Sequence, residues 1–87
     1  MTIEFFDYKG IRIIIYHAAA GETADWHDHT FDHGHVVISG RTRIDVRNGD
    51  SVEMTPGMKN MDLKKGVEHC ITALDDGTVY LQPVEAI

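Results

Sequence analysis

The sequence predicts an all-β domain built from short antiparallel strands. Apolar residues alternate with polar residues in short segments, and turn signals such as Lys9-Gly10 and Pro56-Gly57 separate these segments about every ten residues. This combination is typical of a β-sandwich or a β-barrel, and no segment requires a helix. Because 87 residues are enough for one domain only, residues 1–87 are predicted to form a single domain.

The strands can be assigned in order along the chain, and there are eight or nine of them. The second strand has apolar residues on both faces, which predicts burial on both sides. Asn48-Gly49 predicts a tight hairpin because both residues tolerate a positive φ. The predicted strands are Ile3–Tyr8, Ile11–His17, Trp26–His29, His33–Ser39, Thr42–Val46, Val52–Met54, Met58–Leu63, Val67–Leu74 and Thr78–Val84.

Charge and composition restrict the partners of the chain. The net charge is −6, the pI is near 5.3 and the longest basic run is Lys64-Lys65, so a nucleic-acid partner is not expected. The most apolar tract, Ile11–Tyr16, contains Arg12 and is too short to cross a bilayer, so no membrane partner is expected either. A single cysteine, Cys70, excludes an internal disulfide. These features predict a soluble, cytoplasmic protein.

The short chain also favours a partner subunit. A chain of this length buries only roughly 60–65% of its unfolded surface, so its core is thin. Support from a bound metal or from a second copy is therefore expected, and the chain is predicted to form a homodimer.

Four of the six histidines lie between Gly21 and Gly40. In an extended strand, residues i and i+2 point to the same face about 6.6 Å apart, so His27 and His29 can bind one ion together. A turn then returns the chain, with His33 at the start of the neighbouring strand. The fourth ligand must come from elsewhere, and His69 is the only histidine in the second half of the chain.

This arrangement of residues resembles the first motif of the cupins. The motif consists of G, five residues, H-x-H, three or four residues, E, six residues and G. In this sequence, the glycine and histidine positions of the motif are occupied by Gly21, His27, His29 and Gly40. His33 stands at the position of the glutamate.

The second cupin motif is matched more loosely. Its pattern is G, five residues, P-x-G, two residues, H, three residues and N. Gly66 and His69 fit this pattern, Gly57 stands one residue early, Lys64 replaces the proline and Ala73 replaces the asparagine. The resemblance covers nearly the whole chain from the second strand onward.

The resemblance implies a small antiparallel β-barrel of jelly-roll type that holds one metal ion. By the same implication, the metal ligands are His27, His29, His33 and His69. A histidine in place of glutamate at position 33 changes the expected metal chemistry more than the expected fold.

The two remaining histidines have other interpretations. His35 shares a face with His33 but lies about 6.6 Å further along the strand, so both cannot easily bind the same ion. His35 is interpreted either as lining the pocket or supporting a ligand, or as simple core packing. His17 ends a strand and is interpreted as a surface residue.

The ligand set limits the metal but leaves the reaction open. Imidazole ligands suit one divalent transition metal, Fe, Ni, Cu, Zn or Mn, better than Mg or Ca. The leading hypothesis is a metalloenzyme for a small anionic or enolisable substrate, with dioxygenase-like chemistry. The alternatives are a redox-silent lyase, isomerase or cyclase, a non-catalytic module that binds a small anion, and a structural zinc site. His35 and Tyr16 are the candidate acid or base groups inside the barrel, and no catalytic residue is assigned.

Overall fold

The computed structural model describes residues 1–30 and 32–85, and these residues form two antiparallel β-sheets. No helix among them is long and apolar enough to cross a membrane. The first sheet has the strand order β1-β2-β9-β4-β7, and the second has the order β3-β8-β5-β6. The strands are β1 (Thr2–Tyr8), β2 (Ile11–Ala18), β3 (Thr23–His27), β4 (His33–Ser39), β5 (Thr42–Val46), β6 (Ser51–Met54), β7 (Met61–Leu63), β8 (His69–Ala73) and β9 (Thr78–Glu85). The prediction of an all-β antiparallel fold is confirmed.

The core lies between the two sheets. Val37 of β4 and Tyr80 of β9 extend from the first sheet and meet Ile44 of β5 and Ile71 of β8 from the second. Each of these side chains is at most 2% exposed. Complete burial of a side chain of this kind contributes about 1.5–3 kcal/mol. These contacts fix the inward faces of β4 and β8, and the histidines at positions 33, 35 and 69 share those faces.

The predicted burial of the second strand on both sides is wrong. Ile11 is 45% exposed, and the centre of β2 is only half-buried. The inner face of β2 packs toward the core through Tyr16, whose ring stacks on Tyr80 at 4.7 Å. No described element covers the outer face, so its isoleucines remain partly exposed.

Three strands differ from the prediction by more than one residue at an end. β8 spans His69–Ala73 and is shorter than the predicted Val67–Leu74, because its pairing with β3 and β5 begins at His69. β3 begins three residues earlier than predicted and ends at His27, because Thr23 and Ala24 pair with β8 and Ala24 packs against the core. β7 is shorter than predicted because only its residues 61–63 pair with β4. Met58 instead belongs to the preceding turn, where its amide donates to the Thr55 carbonyl.

The hairpin at Asn48-Gly49 is wider than predicted. The loop between β5 and β6 spans residues 47–50, so it is not a two-residue turn. Asn48 has a φ of 59°, whereas Gly49 does not adopt a positive φ. The Gly49 amide donates to the Val46 carbonyl at 3.0 Å and closes this longer loop.

Substitution of Gly40 by alanine is expected to destabilise the fold. Gly40 has a φ of +70°, and an added Cβ would lie 2.8 Å from the Thr78 Cα, a backbone contact that cannot be relieved by side-chain rotation. Gly57 is the matched control, because its φ is +88° but nothing lies within 4 Å of its added Cβ. We expect Gly40→Ala to lower the free energy of unfolding by about 2 kcal/mol more than Gly57→Ala, as measured by urea denaturation. Equal losses of unfolding free energy in the two variants would show that the protein relieves the close contact between the added Cβ and Thr78.

Candidate metal centre

Two of the predicted ligands meet across neighbouring strands. His27, the last residue of β3, pairs directly with His69, the first residue of β8. The register of β3 shifts between Ala24 and His27, so the strand is irregular just before the histidine. The rings of His27 and His69 consequently lie 4.5 Å apart between centroids.

The other two predicted ligands flank the loop between β3 and β4. His29 follows the end of β3, so its position is not set by the strand alternation used in the prediction. Its carbonyl instead accepts a hydrogen bond of 2.9 Å from the Gly66 amide. The Asp32 carboxylate accepts one of 2.8 Å from the Lys65 amide. These two bonds tie the loop to the segment that precedes β8, and β4 then begins at His33.

The four histidine rings form one cluster between the sheets. The coordinating atoms of His27, His29 and His69 all lie within 4.8 Å of one another. The ring of His33 lies 4.5 Å from that of His29 and 5.3 Å from that of His69. Two nitrogen atoms on opposite sides of one ion are separated by about 4 Å, so a small inward shift would bring the first three rings to bonding distance.

Backbone carbonyls determine the tautomer of three of the rings. A carbonyl oxygen only accepts hydrogen bonds, so a ring nitrogen that faces it must carry the hydrogen. In each case that nitrogen is Nδ1, which leaves the Nε2 lone pair of the neutral ring for a metal, the pattern common at metal-binding histidines. The Nε2 atom of His69 is buried and has no hydrogen-bond partner among the described residues. The pairs are His27 with Asp25, His33 with Gly34 at 3.2 Å, and His69 with Val67 at 3.2 Å.

Burial and mutual repulsion keep the rings of His29, His33 and His69 neutral. Burial is the main cause that lowers the pKa of His29, His33 and His69 below the usual value. The positive charges of neighbouring histidines lower the pKa of each of these rings further. A neutral imidazole is the form that binds a metal, so the cluster is prepared for an ion at neutral pH.

Acidification is expected to release a bound metal, but only at a pH below the usual pKa of a free imidazole. Because the pKa of His29, His33 and His69 is lowered, protons compete with the metal for these three rings only below pH 6.5. Zinc affinity should therefore be nearly constant down to that pH. Below it, affinity should fall by up to about tenfold per pH unit for each ring that takes up a proton. Competition with a chromophoric chelator across this range measures the effect, and a decline that begins well above pH 6.5 would contradict it.

His35 lies apart from the cluster, deeper in the core. Its side chain is fully buried, its Nε2 atom lies 2.8 Å from the Thr42 hydroxyl, and its ring packs against Tyr80 at 4.9 Å. The Nδ1 atom has no hydrogen-bond partner among the described residues. His17 lies on the outer face of β2, where it is exposed and contacts Glu4 at 2.9 Å.

His35 is expected to make the metal-free protein less stable in acid. Burial lowers the pKa of His35 to about 4, whereas an unfolded histidine titrates near 6.5. Between these values the unfolded chain binds a proton that the folded chain does not, so stability falls as the pH drops from 6.5 to about 4. The part of this loss that comes from His35 should reach at most about 3 kcal/mol. It should be missing in His35→Gln, which keeps only the pH dependence that His29, His33 and His69 contribute, as measured by urea unfolding at several pH values. Parallel pH profiles for the two proteins would contradict this expectation.

Inward-facing polar residues on the last strand were missed by the sequence analysis. The Tyr16 hydroxyl donates to the Gln82 side chain at 3.0 Å, and Gln82 and Tyr80 are both buried. Burial raises the pKa of both tyrosine hydroxyls, so they remain protonated at neutral pH. Tyr80 and Gln82 stand two residues apart in a predicted strand, and this spacing was the available signal that they share a face.

A small cavity borders the histidine cluster. Its volume is about 140 Å³, and it opens between β7 of the first sheet and the strands β5 and β8 of the second. Most of its walls are apolar, and a lysine and an aspartate stand at its edge. The lining residues are Val46, Met61, Asp62, Leu63, Lys64, Val67 and His69.

Solved structures share this fold at low sequence identity. A cupin superfamily protein from Desulfitobacterium hafniense has a TM-score of 0.78 and 13% identity, with 99% of this chain and 79% of that chain covered. KdgF from Halomonas sp. has a TM-score of 0.81 and 14% identity, with 93% and 74% covered. A structure described among the DMSP lyases RdDddP and RnDddQII has a TM-score of 0.77 and 23% identity, with 91% and 40% covered.

No protein-family model and no curated protein sequence matches this chain. The structural likeness therefore shows the fold alone, and it confirms the fold that the sequence motifs imply. The four-histidine ligand set remains a prediction.

Proposed function

We propose that this chain, which has the cupin fold, binds one divalent transition metal through His27, His29, His33 and His69. In its metal-bound form, the protein acts on a small anionic or enolisable substrate. The metal would be Fe, Ni, Cu, Zn or Mn. A reducing, cytoplasmic location is part of the proposal, because the single cysteine, Cys70, is free and buried.

The convergence of four imidazoles is the observation that supports this proposal. Three of the rings bring their coordinating atoms within 4.8 Å of one another, and the fourth packs against two of them. In His27, His33 and His69, the backbone carbonyl at Nδ1 directs the lone pair to Nε2. If these histidines only packed the core, four rings would not need to converge in one place, and three of them would not need to share one tautomer.

Charge supports the choice of an anionic substrate. Four neutral imidazoles leave the full double positive charge of a divalent ion uncompensated. The cavity beside His69 has mostly apolar walls, and its two charged lining residues, Lys64 and Asp62, are of opposite sign, so the ion itself supplies the attraction for an anion. The cavity volume of about 140 Å³ is below that of most ligand pockets, so it suits only a molecule of a few heavy atoms.

The chain's own side chains supply binding and orientation around the ion. A bound metal would act as a Lewis acid for the substrate and, if it were iron or copper, would also activate dioxygen. Tyr16 and Tyr80 keep their protons at neutral pH and are therefore hydrogen-bond donors rather than bases. His35 is neutral at that pH, so it accepts or donates one hydrogen bond without carrying charge.

A redox-silent lyase reaction is the second candidate, and one observation favours it. A structure described among DMSP lyases shares the fold at 23% identity, although this chain covers only 40% of that one. Such a reaction needs no open position for dioxygen and can proceed with zinc. Of the two reactions, therefore, only the dioxygenase-like one requires a redox-active metal.

Metal analysis of protein purified without a histidine tag tests the proposal. We expect about one equivalent of a transition metal per chain and retention of that metal through gel filtration. Oxygen uptake with a panel of small carboxylates in iron-loaded and zinc-loaded protein then separates the candidates. Turnover with iron only, accompanied by oxygen uptake, supports the dioxygenase-like reaction, and turnover with zinc supports the lyase. The absence of stoichiometric metal after growth in metal-replete medium would refute the proposal.

A further inference from the structure

One peptide group of β4 links His33 to the side chain of Asn60. This peptide joins Gly34 to His35. Its carbonyl accepts a hydrogen bond of 3.2 Å from the Nδ1 atom of His33. Its N–H donates to the Oδ1 atom of Asn60 at 3.1 Å. A peptide group is planar, so a partner that holds its N–H also fixes the direction of its C=O.

The side-chain amide of Asn60 is held in one orientation. A backbone N–H only donates, so the Asn60 atom that faces the peptide must be the oxygen. The Asn60 Nδ2 atom donates on its other side to the Asp62 carboxylate at 3.0 Å, and a carboxylate only accepts. Both contacts therefore require the same orientation of the amide. Asn60 directly precedes β7, and the pairing of residues 61–63 with residues 33–35 places it beside this peptide.

The absence of a side chain at Gly34 leaves the space that the Asn60 amide occupies. A Cβ added at position 34 would overlap the Asn60 Oδ1 atom and lie 3.0 Å from its Cγ atom. The three nearest atoms all belong to the Asn60 side chain, so an alanine at this position would displace that side chain and leave the backbone in place. Gly34 does not adopt a positive φ, so its backbone conformation accepts an alanine.

The neighbouring strand β9 does not compete for the Gly34 carbonyl. The register of β4 with β9 places Pro83 opposite Gly34, and proline has no amide hydrogen. Hydrogen bonds that follow one another in a chain strengthen each other. The chain here runs from the Asp62 carboxylate through Asn60 and the peptide to the ring of His33.

We infer that Asn60 is a positioning residue for the metal site. By holding the N–H of one peptide, Asn60 directs the carbonyl of that peptide at His33 Nδ1, which keeps the Nε2 lone pair of the ring for the ion. Asn60 is not itself a ligand and acts through this peptide. The inference rests on the proposed function, because His33 needs this orientation only if it binds a metal.

Nitrogen NMR of the histidine rings in the metal-free full chain shows which ring nitrogen carries the hydrogen. We expect Asn60→Ala and Gly34→Ala to shift His33 from the tautomer with hydrogen on Nδ1 toward the one with hydrogen on Nε2. The first variant removes the acceptor of the peptide N–H, and the second displaces it. Asn60 is exposed, so Asn60→Ala should fold as the wild type does.

Two controls separate positioning from a general loss of structure. The His69 ring is observed in the same spectrum, and its Nδ1 atom is held by the Val67 carbonyl, which neither variant touches. Gly49→Ala is the matched control for Gly34→Ala, because Gly49 also lacks a positive φ but lies in the loop between β5 and β6. We expect no change of tautomer in either control.

Zinc affinity should follow the tautomer of His33. Loss of a residue that supports a ligand lowers metal affinity 10–100-fold, and we expect about tenfold in each single variant. Asn60→Ala combined with Gly34→Ala should lose no more than either alone, because both remove the same hydrogen bond. The double variant Asn60→Asp with Asp62→Asn should restore the affinity, because it keeps an acceptor at position 60 and gives it a donor at position 62.

Shifted His33 tautomers in both single variants, with His69 unchanged and zinc affinity restored by the exchange of the two side chains, support the inference. An equal shift of His69, or an equal loss of zinc affinity in Gly49→Ala, would overturn it. Zinc binding by the wild type with an unchanged His33 tautomer in both single variants would refute this inference alone. A wild type that binds no zinc would refute the proposed function and this inference together.

Discussion

Replacement of His69 by alanine is expected to lower the affinity for zinc at least about 100-fold. Loss of a residue that only supports a ligand costs 10–100-fold in metal affinity, so loss of a ligand should exceed this range. His69 is 1% exposed, its Nδ1 atom is held by the Val67 carbonyl, and its Nε2 atom is buried beside the rings of His27 and His33. Zinc competition with a chelator of known affinity measures the effect.

Two other histidines provide the controls for this substitution. His35→Asn removes a ring that is equally buried but lies outside the cluster, and His17→Ala removes an exposed ring. We expect the zinc affinity of both variants to lie within about tenfold of the wild-type affinity. A roughly tenfold loss is the lower end of the effect of removing a residue that only supports a ligand. An equal loss in His69→Ala and His35→Asn would mean that the variants act through the packing of the core, and the assigned ligand set would be wrong.

Replacement of His33 by glutamate is expected to change metal selectivity while preserving metal binding. The glutamate occupies the position at which the cupin motif has one, and it lowers the net charge of a divalent site from two to one. Oxygen ligands favour Mn or Fe over Cu or Zn, so we expect the affinity ratio to shift by about tenfold or more. Binding of simple carboxylates to the metal-loaded protein should weaken, because the attracting charge is halved.

His33→Ala is the comparison for this variant. It should lower the affinity for every metal without the same shift in selectivity, because it removes a ligand and adds no charge. The measurements are metal competition and carboxylate titration on the wild type and both variants. Identical selectivity and carboxylate affinity in His33→Glu and the wild type would place residue 33 outside the metal site.

The order and type of the strands were predictable from the sequence because turn chemistry is local. Lys9 and Gly10 both adopt a positive φ in the turn between β1 and β2, and Gly57 does so after Pro56, as the sequence suggests. Strand ends were less predictable because they depend on pairing. The prediction extended β7 back to Met58 because the side-chain pattern cannot show where the partner strand β4 stops pairing.

The site was predictable from the sequence only in part, because local spacing places some of its residues and tertiary contacts place the others. The spacing of His27, His29 and His33 placed three rings near one another, and the structure brings them together with His69. The reason given for His29 was incomplete. β3 ends at His27, and it is the Gly66 amide from a distant loop that holds the residue after it. A contact of this kind depends on tertiary structure and leaves no periodic signal.

The role of His35 also required the structure. His33 and His35 both lie on the inner face of β4, and their spacing of two residues, about 6.6 Å along the strand, predicts only that they do not share one ion. The hydroxyl of Thr42 and the ring of Tyr80 hold His35 in the core. Neither partner is near His35 in sequence, so the interpretation of that ring stayed open until its contacts were known.

Long-range proton–nitrogen correlation spectra of the histidine rings test the four-ligand site most directly. The zinc-loaded protein is compared with the metal-free protein, and the nitrogen shifts identify which atom of each ring binds the metal. We predict metal-bound Nε2 signals for His27, His29, His33 and His69, with a retained Nδ1 hydrogen in the three rings held by backbone carbonyls. His17 and His35 should not change. A metal-bound signal from His35, or unchanged Nε2 shifts in the cluster with zinc at one equivalent, would contradict the proposed site.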